Sequence, residues 1–119
     1  MKQIFKERLE ELERQHPQAM VLLLDGEGNY LYANEHCRDV LGYEPSEVIG
    51  RHALDFAAPE DIPHVKLTLQ DALLNYESVT VGIQIAAKTG EYVRVQGAAY
   101  RLDDPETTEI YLIGWVARA

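Results

Sequence analysis

Residues 42–61, GYEPSEVIGRHALDFAAPED, hold two glycines and two prolines, so no helix longer than a turn or two can run through them. The same stretch carries Tyr43, Val48, Ile49, Leu54 and Phe56, side chains that favour burial. A fold built on this chain must therefore wrap apolar residues in broken backbone rather than in a proper helix. Few α+β arrangements do so.

The flanking segments are regular. Residues 1–16 read as a helix in which Phe5, Leu9 and Leu12 form an apolar stripe beside Ile4, and Pro17 ends it. A helix this short is marginal alone, because isolated helices under about 12–15 residues are barely stable in water. It must dock, either as a lid on its own domain or against a partner helix in a dimer. AMVLLLD (19–25) reads as a strand covered on both faces, DGEGN (25–29) as a tight turn, and YLYA (30–33) as the returning strand. Asn34 is placed to cap a short helix over 35–41 that buries Cys37, Val40 and Leu41, with Gly42 ending it. Asp61 is placed to cap a longer helix over 62–76, with Pro63 in its first turn and Ile62, Val65, Leu69, Ala72, Leu73 and Tyr76 on its core face. Strands follow at 79–86, 92–100 and 109–117, joined by turns at KTGE (88–91) and DDPETT (103–108). Two strands, several short helices and three strands define an α+β domain: an antiparallel sheet with helices on one face. Residues 1–17 form the flanking helix and 18–119 the domain.

Composition narrows the function. A chain of 119 residues, 46% apolar and 26% charged, can bury a core without disulfides or metal. No apolar run approaches the roughly 20 residues that span a bilayer, and the charged start is no signal peptide. The single cysteine, Cys37, allows no internal disulfide and fits a reducing, cytoplasmic setting. A net charge of −9 argues against nucleic acid as a partner. The acidic turn residues Asp103, Asp104 and Glu106 read as solvated.

MVLLLDGEGNYLYANEHCRDVLGYEPSEVIGRHALDFAAPEDIPHV closely resembles the opening of a PAS domain, through Asp25, Gly28, Asn34, Gly42-Tyr43, Glu47 to Gly50 and Pro59-Glu60-Asp61. KTGEYVRVQGAAY and IGWVAR resemble the closing strands, so the match covers residues 18–118. The resemblance implies a five-stranded antiparallel sheet whose inner face and short helices enclose a small pocket. It also implies a sensory or signal-transduction module that binds a small ligand or mediates dimerisation to regulate a linked effector. A histidine kinase (as in two-component regulation), a cyclase or a transcription regulator would be typical. Under that reading the broken stretch is the roof of a cavity. Strand alternation adds an independent hint: if Val93 and Val95 face inward, so do Gly97 and Ala99, and Gly114 follows Leu112 and Val116. The expected pocket lining is Tyr43, Val48, His52, Leu54, Phe56, Leu69, Leu73, Ile83, Ile85, Val95, Gly97, Ala99, Leu112 and Gly114. Leu54, Phe56, Leu69 and Leu73 could instead fill the space.

Cofactor choices are constrained residue by residue. The flavin-binding, light-sensing branch carries Asn-Cys-Arg-Phe-Leu-Gln where this chain has His52 to Ala57, so Ala53 replaces the reactive thiol and excludes flavin photochemistry. Haem-binding members ligate iron through a histidine on the long helix; His64 stands nearest but falls off the core face. His16, His36 and His52 show no zinc-ligand spacing. The cofactor stays unknown and no metal is expected. Tyr111, Ile113 and Trp115 alternate outward on the last strand, so with Phe5, Leu9 and Leu12 they form the expected dimer interface. Family members continue into an Asp-Ile-Thr sequence, near which Arg118 stands here, so either this is an excised sensor or the output connection differs. No enzymatic constellation is legible. Two rivals remain: a pure dimerisation module with a filled core, and a small cone-shaped α+β enzyme using Asp55 as base.

Overall fold

The computed structural model describes residues 1–119. Element order is α1 (Gln3–Gln15), β1 (Met20–Asp25), β2 (Tyr30–Ala33), α2 (Cys37–Leu41), α3 (Pro45–Val48), α4 (Ile62–Leu74), β3 (Val79–Ala86), β4 (Tyr92–Asp103) and β5 (Ile110–Arg118). Two single 3-10 turns, Ala53–Phe56 and Pro59–Asp61, lie between α3 and α4. The five strands form one antiparallel sheet in the order β2-β1-β5-β4-β3, which leaves β5 at the centre and β2 and β3 at the edges. This is the α+β arrangement expected from the sequence.

The sheet carries a cover on each face, and each has its own core. Outside, Phe5, Leu9 and Leu12 of α1 bury against Val21, Leu23, Leu102 and Ile113. Each such side chain contributes about 1.5–3 kcal/mol when removed from water. Inside, Met20, Leu22 and Leu24 of β1 join Leu112 and Val116 of β5 beneath α2, α3 and α4. The apolar run of β1 is thus explained: alternate residues serve opposite cores. Of the two roles open to α1, this chain shows the lid on its own sheet. Further ties hold it there. Tyr32 donates its hydroxyl to Glu13 Oε1 at 2.9 Å. The His16 ring stacks on Trp115 with centroids 3.8 Å apart. Lys2 forms an ion pair with Asp104.

Three local expectations change. Asn34 does not cap α2; its amide is buried, accepting from Val21 N at 3.0 Å and donating to the Ala19 carbonyl. Locking the entry to β1 satisfies that buried amide better than a half-exposed helix end would. Asp61 precedes α4 without capping it, because its carboxylate accepts from Gln84 N on the edge strand at 2.8 Å. The helix ends at Leu74 rather than 76, and Tyr76 is exposed. Arg101 intervenes there, donating to the Leu73 carbonyl at 2.8 Å while its guanidinium lies over the Tyr76 ring. As expected, Gly42 ends α2 in the left-handed region at φ 82°.

Asp104 is a fourth correction: it is only 1% exposed, not solvated. Its carboxyl is held below the ordinary range by the Lys2 ammonium and then by the Glu106 N–H, which donates at 2.9 Å. A depressed folded value stabilises above the unfolded value of about 3.9 and loses that effect as pH falls through the folded one. The stability gap between wild type and Asp104→Asn, measured by urea unfolding, should therefore be constant at neutral pH and close below about pH 4.

Strands β4 and β5 approach most closely where Gly97 pairs with Val116 and Ala99 with Gly114. A Cβ on Gly97 would lie 1.8 Å from the Trp115 carbonyl oxygen, and one on Gly114 would lie 2.5 Å from the Ala98 oxygen. Those contacts are with main chain, so no rotamer change relieves them. Gly97→Ala should cost about 1–3 kcal/mol or more, as overpacking does, read as a lower denaturation midpoint with the fold class unchanged by circular dichroism.

Candidate functional site

The segment from Gly50 to Asp61 forms a strap across the inner face, stitched to both edge strands. On the β2 side, Tyr30 N donates to the Arg51 carbonyl and Gly50 N to the Tyr30 carbonyl, each at 2.8 Å, and Ala53 N donates to Gly28 O at 2.9 Å. On the β3 side, Ala58 N donates to Gln84 O at 3.1 Å. His52 adds a side-chain stitch. Its Nδ1 accepts from Leu54 N, which leaves the proton on Nε2 to donate to the Glu27 carbonyl at 2.6 Å.

Beneath the strap the interior divides into two halves. Under α2 and α3 it is solid: Phe56 meets Tyr30 and Tyr43 edge-on, with centroids 5.8 and 5.3 Å away, and Val40, Leu41, Val48 and Val95 fill the remainder. Under α4 it is hollow. A cavity of about 70 Å³ lies between α4 (Val65, Thr68, Leu69, Ala72), the strap (Ala53, Ala57) and the sheet. The sheet contributes Leu22, Leu24 and Tyr30 from β1 and β2, and Val81, Ile83, Ile85, Ala98, Ala99, Leu112, Gly114 and Val116 from β3, β4 and β5. Trp115 also borders it, although its ring stacks on His16 outside, so it is main chain that reaches inward. Ala53, Ala57, Ala72, Ala99 and Gly114 are small residues around one space, and that is why it stays open; Ala98 pairs with Trp115 and, like it, reaches the space through main chain.

Of the residues expected around a pocket, Leu69, Ile83, Ile85, Ala99, Leu112 and Gly114 border this cavity. Tyr43, Val48, Phe56 and Val95 do not; they build the solid half, because large aromatics pack together instead of arching over a void. Leu73 joins the same core without reaching the cavity. His52 and Leu54 are occupied in the strap, and Gly97 serves the approach of β5. Leu22, Leu24, Tyr30, Ala53, Ala57, Val65, Thr68, Ala72, Val81, Ala98, Trp115 and Val116 were missed. The signal for Ala72 was its place on the helix core face. For Leu22 and Leu24 there was none, because a run apolar on both faces hides which residues point inward.

The proposed chemistries find their residues elsewhere. His64 is exposed and outside the cavity, so it is not placed to ligate haem there. Cys37 is buried and donates its thiol to the Tyr43 carbonyl at 3.1 Å, and burial pushes its pKa up, as suits a packing residue. Asp55 is exposed, accepting from His52 N at 3.2 Å with Arg51 at 3.7 Å. That overturns the reading of Asp55 as a base in an apolar pocket. Phe5, Leu9, Leu12 and Ile113 are buried within one chain, with Tyr111 and Trp115 packed beside them, so the expected dimer stripe is already covered. No helix is long and apolar enough to cross a membrane.

A central antiparallel sheet, a strap of short helices over one face and a small cavity beneath them define a sensor-type α+β domain. A family model described as PAS fold matches residues 30–116. The chain belongs to the PAS fold family, whose members act as sensory or dimerisation modules in signalling and transcription regulators and generally signal rather than catalyse. Over 88 residues, 73% of this chain, it is 30% identical to the Drosophila melanogaster homolog of the aryl hydrocarbon receptor nuclear translocator. It is 28% identical over 90 residues to hypoxia-inducible factor 1-alpha of Rattus norvegicus. The chain spans 14% and 11% of those two proteins' lengths. Among solved structures, the PAS-B domain of Drosophila Cycle with bound ethylene glycol superposes with a TM-score of 0.78 at 24% identity, covering 84% of this chain and 99% of that one. A PAS domain from Colwellia psychrerythraea gives 0.79 at 17% identity, covering 98% and 97%.

The stitched strap yields its own test. His52→Ala removes two hydrogen bonds and should cost about 1–3 kcal/mol. Amide exchange should accelerate at Tyr30 and Ala53 and stay unchanged in α1.

Proposed function

We propose that this PAS domain is a sensor whose hollow half, under α4, holds a small, mainly apolar molecule. The observation that carries the reading is the contrast within one interior: aromatic packing under α2 and α3, and five small residues around open space under α4. A cavity of about 70 Å³ is several times the roughly 10–15 Å³ that admits one water. Its walls offer too few polar groups to hold ordered water well, so an apolar occupant competes favourably. Occupancy would stiffen α4 and the strap against the sheet and bias whichever arrangement a signalling partner reads. Such partners are a linked effector and, in a cytoplasmic setting, a second copy. A homodimer would have to use surface other than the α1 stripe, or exchange α1 between copies.

Xenon is the cleanest probe of an apolar cavity this small. Xenon titration followed by amide NMR should shift Leu69, Ala72, Ala99 and Gly114 and leave Val48 and Phe56 unmoved. Ala99→Val, which puts methyl groups into the space, should weaken xenon binding about tenfold while changing stability by less than about 1 kcal/mol. Uniform shifts, or none, would instead favour a dimerisation module with a filled core.

A further inference from the structure

The cavity wall is apolar except at two side chains, and only one of them has a free proton to give. Thr68 Oγ1 donates to the His64 carbonyl one turn back at 3.0 Å, so its hydroxyl proton is spent within α4. Tyr30 differs. It is 6% exposed, its ring is held edge-on by Phe56, and no protein group accepts from or donates to its hydroxyl. Yet no side-chain oxygen or nitrogen sealed from open space lacks a partner in this chain. The hydroxyl is therefore not sealed in the core, and Tyr30 is one of the residues that line the cavity. An unmet donor in such a place costs free energy that a matching ligand atom recovers.

We propose that the Tyr30 hydroxyl is the specificity element of the cavity, donating a hydrogen bond to small apolar molecules that carry one acceptor atom, such as a ketone or ether oxygen. This rests on the cavity being a ligand site. Shape follows from volume: a compact body of a few heavy atoms fits about 70 Å³, and an extended chain does not. Polarity follows from the donor count, since one free hydroxyl proton against apolar walls serves one acceptor and penalises a second. Charge is disfavoured too, because no cationic or anionic side chain borders the space. Burial pushes the Tyr30 pKa up to about 12, so the hydroxyl keeps its proton throughout the neutral range.

The test uses two ligands of nearly one size, dimethyl ether and propane, which differ in whether an acceptor is present. Both are titrated by amide NMR into wild type and Tyr30→Phe. The variant keeps its fold because the hydroxyl makes no protein bond, and its xenon response checks that the cavity survives. Tyr30→Phe should weaken dimethyl ether about five- to tenfold, the worth of one net hydrogen bond, and leave propane within about twofold. Equal weakening of both ligands would make Tyr30 a packing residue and overturn the proposal. Unchanged affinity for both would overturn it while the cavity remains a binding site. If neither ligand nor xenon enters the wild-type protein, both readings fall.

Discussion

The strap from Gly50 to Asp61 is hydrogen-bonded to both outer strands of the sheet, and the shape of the interior follows from that. A continuous helix spends its N–H and C=O groups on itself and offers neighbours only side chains. A chain interrupted by Gly50 and Pro59 leaves main-chain groups free, and here they pair with Tyr30 and Gly28 on one edge and Gln84 on the other. One residue of each edge strand, Tyr30 and Gln84, thereby has its outward main-chain groups paired. The strap is also held at a height set by the sheet edges rather than by side-chain packing. Phe56 fills the gap at one end, where it meets Tyr43 and Tyr30. Ala53 and Ala57, which flank it in the chain, border the cavity and do not reach across it.

Hollow and solid halves therefore come from residue size on a fixed frame. The chain places Val40, Leu41, Val48 and Val95 with the aromatics in one half, and intersperses alanine and glycine among the aliphatics of the other. Filling voids of this kind normally gains stability, since each unfilled volume forfeits dispersion contacts. A domain that keeps alanine at four positions around the space, Ala53, Ala57, Ala72 and Ala99, forgoes that gain. A binding role gives the sacrifice a reason that packing alone does not.

How much of this was legible in sequence depended on whether a residue's period or its chemistry carried the information. Alternation on β3 and β5 put Ile83, Ile85, Leu112 and Gly114 on the inner face, where they border the cavity. Breakers at 42–61 announced the strap, and the Phe5, Leu9, Leu12 stripe announced a docked α1. Periodicity was silent on β1, where both faces are buried, and so Leu22 and Leu24 were lost. It was also silent on Tyr30, which begins a strand too short to show a face. Gly97 was read as an inward gap because alternation says where a Cβ would point and nothing about how near the next backbone lies. Asn34, Asp61 and Asp104 each sat where a cap or a solvated turn is the local preference. Each was taken instead by a partner distant in sequence: Val21, Gln84 and Lys2. Side chains that can satisfy either a local or a remote group are decided by the tertiary fold, which local patterns do not encode.

The position of β5 gives the two cores a common wall. Leu112, Gly114 and Val116 look into the cavity, while Ile113 and Trp115, one residue apart from them, lie beneath α1. Side chains alternate across a strand, so any shift of β5 that relieves pressure on one face is felt at once on the other. The two glycines sharpen this, because β4 and β5 touch main chain to main chain there and have no flexible side chains to absorb a displacement. A molecule lodged under α4 therefore lies one strand's thickness from the α1 interface, in contact with the least compliant part of the sheet. Coupling over so short and stiff a path needs no chain of intermediaries. It needs only that α1 have a second arrangement whose contacts with Ile113 and Trp115 differ from those seen here.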